Sequence, residues 1–178
     1  SDVPDEDELE EAYGLVVSIP REIAPDAAIE NLKRMLQAKG TLIKKAVVAD
    51  NTDLEVDDEV IRFPWFDTMP DTDMVSAVSK LIDKMLATAK LQKRIVVKED
   101  AAEPENEKYA FRCYLLRLGF IGDEYKAARK TLLRNLSGSG AFKSGNPKVQ
   151  ELVERIETDA DLYDDVMSLQ DKEAEGNE

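Results

Sequence analysis

The sequence predicts a helix-rich α+β fold: a small strand-helix-helix-hairpin unit followed by a helical, bundle-like region. Three observations lead there. A run rich in β-branched residues, YGLVVSI over 13–19, halts at Pro20. Apolar residues then recur at spacings of three and four around Ala28–Leu36 and again around Met74–Ala89, the repeat of a helix with one buried face. Between these, DLEVDDEVIRFPWF alternates apolar and polar residues about Asp57-Asp58, the pattern of a hairpin.

Taken in order, SDVPDEDELEEA over 1–12 is an acidic leader with seven acids and no bases through Pro20, and is expected to be solvated. The strand follows. Pro25 opens a helix in which Asp26 sits near the positive end of the dipole and Ala28, Ile29, Leu32, Met35 and Leu36 share a face until Gly40. Thr41 is placed to cap a second short helix carrying Leu42, Ile43, Ala46 and Val47, with Lys44 and Lys45 outward. The hairpin is expected to end at Pro64, completing a unit over 13–66.

The region 67–145 is expected to be helical. Met74, Val75, Val78, Leu81, Ile82, Met85, Leu86 and Ala89 line one helix, with Lys80, Lys84, Lys90 and Lys93 off its face. Residues 94–98 suit a short strand or a fraying helix end, and EDAAEPENE is an acidic loop. In 109–118, Phe111, Tyr114, Leu115 and Leu118 share a face, and Gly119 supplies the left-handed residue that ends a helix. Asp123 reads as the N-cap of the next helix, whose Tyr125, Ala128, Leu132 and Leu136 turn inward. Lys126, Lys130 and Arg134, with Arg129 alongside, then form an outward basic stripe. The pair superficially matches a helix-turn-helix, although Leu115 is bulky where a tight crossing favours a small side chain. Over 146–170, Val149, Leu152, Val153 and Ile156, then Leu162, Val166 and Leu169, suggest C-terminal helices; 171–178 reads as a disordered tail.

Composition narrows the functional classes. At 43% hydrophobic residues over 178, the chain can bury a core. One cysteine, Cys113, excludes an internal disulfide framework and slightly favours a reducing interior; it reads as a small core hydrophobe. No apolar run reaches the roughly 18 residues of a spanning helix, so no membrane role and a cytoplasmic location are expected. The chain begins without Met and without a basic, apolar leader, as expected of an excised domain or processed product. Without histidine, Ser-His-Asp and Cys-His catalysis and His-ligated metals are excluded. DNTDLEVDDE lacks the glycine and final glutamate of an EF-hand loop, though the many carboxylates leave a magnesium site compatible with the sequence. Gly138 and Gly140 lack the third glycine of a dinucleotide loop, and Asn146 stands where a P-loop needs Lys. No catalytic residue, metal or cofactor is assigned.

Charge is the informative signal. The net charge of −14 would repel phosphate, yet residues 108–145 hold eight basic side chains against Asp123 and Glu124. Acidic blocks flank them, with five acids over 99–107 and eleven against two bases over 150–178. The expected function is therefore a binding module that contacts nucleic acid through Arg112, Arg117, Lys126, Arg129, Lys130, Arg134 and Lys143. An alternative is a protein-interaction or inhibitor module whose acidic segments imitate phosphate toward a host factor. A third has those segments shielding the stripe.

The segment EKYAFRCYLLRLGFIGDEYKAARKTLLRNLSGSGAFKSG, with the upstream AYGLVVSIPREIAPDAAIENLKRMLQAKGTLIKKA and FPWF, resembles a family of clostridial proteins labelled virulence-related and carried on conjugative elements and prophages. The resemblance covers most of residues 5–145, and the final motif is its most specific part. Family members have another domain before the acidic leader, and many stop near the Lys-Ser-Gly, whereas this chain continues for about thirty residues. The resemblance implies an accessory protein of a bacterial mobile genetic element and transfers no catalytic residue.

Overall fold

A computed structural model describes residues 14–93 and 106–138. The chain divides into two compact units, Ser1–Ala101 and Ala102–Glu178. The architecture is α+β and helix-rich, as the sequence predicts.

In the first unit, strand β1 spans Leu15–Pro20 and alternates half-buried Leu15, Val17 and Ile19 with exposed Val16 and Ser18. A 3-10 turn, Arg21–Ile23, leads to helix α1, Asp26–Val47. Arg21 holds this corner by donating to the Ala24 carbonyl at 2.5 Å and pairing with Asp26. α1 is one continuous helix of 22 residues, not the expected two. Gly40 does not end it, because its reason for being glycine lies elsewhere in the chain. A Cβ there would sit 2.9 Å from the Thr52 Oγ1, so the missing side chain admits the loop after the helix. The apolar face simply continues through Ile43 and Val47. α1 ends at Val48, a left-handed residue at φ 55°, with Lys44 and Lys45 at the negative end of the dipole.

Strands β2, Glu55–Val56, and β3, Val60–Phe66, form the expected hairpin. The Asp57 side chain closes its turn by accepting from the Glu59 and Val60 amides at 2.8 and 2.7 Å. The sheet order is β1-β3-β2, antiparallel throughout. Pro64 lies inside β3 rather than at its end, although β3 is the central strand and proline has no ladder donor. The β1–β3 register shifts between Leu15 and Val17, opposite this stretch, and such an irregularity accommodates a proline. The Pro64 carbonyl is used instead by Asn51 Nδ2 at 3.0 Å. Ile61, Phe63 and Trp65 form the buried face of β3, with the Phe63 and Trp65 rings edge to face at 5.6 Å.

Helix α2, Thr72–Leu91, is capped by Asp71, whose side chain accepts from the Met74 amide at 2.8 Å. It packs against α1, and Met74, Val78, Leu81, Ile82 and Met85 are buried on it. α2 lies in the first compact unit, Ser1–Ala101.

The second unit contains helix α3, Glu107–Leu118, a 3-10 turn at Asp123–Tyr125 and helix α4, Lys126–Leu133. Asn106 caps α3 by accepting from the Tyr109 amide at 3.0 Å, and Gly119 ends it at φ 97°. Asp123 is not the N-cap of α4: it heads the 3-10 turn, and Tyr125 precedes the helix. Phe111, Leu115, Leu116, Phe120, Leu132 and Leu136 are among the buried apolar residues of this unit's core. The ends of the described segment meet where the Lys108 amide donates to the Ser137 carbonyl at 2.9 Å. The acidic leader over 1–12, residues 94–98 and most of the acidic loop, the glycine-rich stretch beyond 138, the C-terminal helices over 146–170 and the tail over 171–178 lie outside the described residues.

Candidate nucleic-acid interface

α4 is amphipathic by construction. Ala128 and Leu132 are buried, while Lys126 and Lys130 face solvent, followed by exposed Arg134 at the helix end. The last position keeps helical geometry, and its amide bonds the Lys130 carbonyl at 3.2 Å. Residues four apart rise about 6 Å along a helix, so three cations span about 12 Å of one surface. Asp123 and Glu124 are exposed just before the first turn, at the dipole end that favours carboxylates.

The seven residues assigned to nucleic-acid contact separate into three groups. Lys126, Lys130, Arg134 and, from α3, Arg117 are exposed. Arg129 is not part of the stripe: only 4% of it is accessible, and its Nη1 donates to the carbonyls of Phe120 and Gly122, both at 3.0 Å. Arg112, 8% accessible, is buried on α3. Lys143 lies outside the described residues. A buried guanidinium bonded to the turn between two helices sets the path of that turn and cannot reach a phosphate. The signal for both burials is in the sequence. Arg129 stands four after Tyr125, three before Leu132 and seven before Leu136, hence on the apolar face; Arg112 stands three from Tyr109 and Leu115.

Residues 106–138 carry seven basic and three acidic side chains, so this segment is locally positive in an acidic chain. Cys113 is half-buried, and burial pushes the Tyr114 hydroxyl above its ordinary range, so it stays neutral. Among the described residues, no group of three carboxylate or thiol side chains is placed to hold a metal ion. Nor is any helix there long and apolar enough to cross a membrane. Comparison with protein-family models, curated proteins and solved structures finds no match for the chain.

Proposed function

We propose that this is a non-enzymatic, cytoplasmic accessory protein of a bacterial mobile genetic element that binds nucleic acid through the exposed face of α4. The observation that carries the reading is the triplet Lys126, Lys130 and Arg134, exposed at four-residue intervals opposite buried Ala128 and Leu132. Arg117 adds a further exposed cation to the same unit. The mobile-element setting rests on the family resemblance of the sequence. Contacts of this kind address phosphates, so affinity is expected to depend on salt more than on base sequence.

The test is fluorescence anisotropy with labelled duplex DNA and single-stranded RNA across a salt series. Replacing Lys126, Lys130 and Arg134 together with Ala is expected to weaken binding and to flatten the log-log salt slope on duplex DNA by about 2.7, at about 0.9 per lost phosphate contact. A wild-type chain that binds neither probe at low salt refutes the reading.

A further inference from the structure

α4 is too short to keep order by itself. Its eight residues make about two turns, and an isolated helix of fewer than about 12 residues is marginal in water. The start of α4 is held by Arg129, which reaches back to the Phe120 and Gly122 carbonyls. The other end matters more to the basic stripe, because Arg134 follows the last helical residue and helix ends fray first.

That end is joined to the start of α3. The Leu136 amide donates to the Leu133 carbonyl at 3.2 Å, Leu136 is buried, and the next residue, Ser137, accepts from the Lys108 amide at 2.9 Å. Lys108 lies in the first turn of α3, where amides have no partner within the helix, so the Ser137 carbonyl serves as one. Gly138 then turns at φ 98° and lies against Asn106. A Cβ there would overlap the Asn106 carboxamide and sit 3.2 Å from its Cα, in a backbone conformation that side chains rarely adopt. Swinging Asn106 aside has a cost of its own, because its Oδ1 caps α3 by accepting from the Tyr109 amide at 3.0 Å. One joint built from Asn106, Ser137 and Gly138 thus satisfies the Lys108 and Tyr109 amides and fixes where the chain leaves α4.

We propose that this joint is a latch that positions Arg134 for phosphate, with Asn106 and Gly138 acting as positioning residues for the stripe. The inference rests on the binding role given to α4. Closed, the latch stops the chain three residues after Arg134 and keeps that cation in line with Lys126 and Lys130. Open, Leu136 alone retains the chain end, and Arg134 leaves the line. The coupling is reciprocal, so a phosphate held by Arg134 favours the closed latch.

The test starts without nucleic acid, from amide hydrogen exchange on the full chain. Gly138→Ala is expected to speed exchange at Lys108 and Arg134 about tenfold or more, with the buried Leu132 amide within about twofold of wild type. Asn106→Ala should act alike, and Asn106→Asp, which keeps a capping acceptor, should return both rates to wild type. Arg134 exchange indifferent to Gly138→Ala and Asn106→Ala overturns the proposal, as does Leu132 exchange that rises equally in both variants, the mark of general unfolding.

The second arm uses whichever labelled probe binds, duplex DNA or single-stranded RNA. Gly138→Ala is expected to flatten the log-log salt slope by about 0.7–0.9, the share of one phosphate, and Arg134→Ala added to it should flatten it no further. The probe should slow Lys108 exchange about fivefold or more in the wild type and leave it unchanged in Arg134→Ala. Additive losses, or Lys108 exchange indifferent to the probe, overturn the latch and leave binding by the stripe in place. A wild type that binds neither probe refutes the binding role and with it the positioning for phosphate, whereas the first arm reports on the joint by itself.

Discussion

Replacing Arg129 with Met separates a bracing role for this residue from a phosphate contact. The substitution keeps much of the side-chain volume and removes both bonds from Nη1 to the Phe120 and Gly122 carbonyls. Hydrogen bonds from a charged donor contribute about 1.5–3 kcal/mol each. Some of that loss is offset because a buried guanidinium no longer has to be desolvated. The expected net cost is about 2–3 kcal/mol, or roughly a 30- to 150-fold rise in the opening equilibrium of the second unit. Trp65 belongs to the first unit, so its fluorescence does not follow this opening. Hydrogen exchange at the buried Leu132 provides a local readout. Lys126→Ala, at an exposed position, is the control and should leave that exchange rate within about twofold. An R129M protein with unchanged Leu132 exchange and a salt slope flattened by about 0.9 would refute the reasoning and return Arg129 to the binding surface.

Other substitutions test the first unit. Asn31→Leu strips the Ala89 and Gln92 carbonyls of their shared donor and is expected to cost about 1–3 kcal/mol in urea unfolding followed by Trp65 fluorescence. Gly14→Ala puts a Cβ 2.0 Å from the Phe66 carbonyl oxygen, against backbone that cannot yield, and should lower stability by about 1–3 kcal/mol. Gly40→Ala meets only the end of the Thr52 side chain, and its helix propensity gain of about 1 kcal/mol offsets the rotation required; a change within about 1 kcal/mol is expected. Asp57 is held near pKa 2, down from 3.8, chiefly by the Val60 amide and then by Arg62 and the Glu59 amide. A depressed carboxylate stabilises the fold fully above its unfolded pKa and loses that contribution as pH falls through the folded value. The β2–β3 turn should therefore loosen between pH 3.8 and about 2, and Asp57→Asn should remove that dependence when the Val60 amide is followed by NMR across the same pH range.

The fold was legible where its causes are local. The α2 face from Met74 to Ala89 follows from spacing alone, as does the Gly119 terminus. It was illegible where the cause lies elsewhere in the chain. Gly40 and Pro64 both read as stops under local rules. One is small because a later loop passes beside it, and the other is tolerated opposite an irregularity in a strand about fifty residues earlier. The site shows a third case. Arg129 and Arg112 occupy core-facing positions that helical spacing marks plainly, although arginine as a residue type points to the surface. An arginine on an apolar stripe is better asked first which carbonyl it reaches.

That distinction changes the electrostatic argument for binding. Counting every cation over 108–145 treats the block as a surface charge, although two of its arginines are buried in the second unit. Of the residues assigned to contact, Arg117, Lys126, Lys130 and Arg134 are the exposed ones within the described residues. At about 0.9 per phosphate, these four support a duplex DNA salt slope no steeper than about −3.6. A measured slope within that bound, largely removed by the triple alanine variant, places binding on α4. A markedly steeper slope requires cations beyond this surface, and Lys143→Ala is then the substitution that should reduce it.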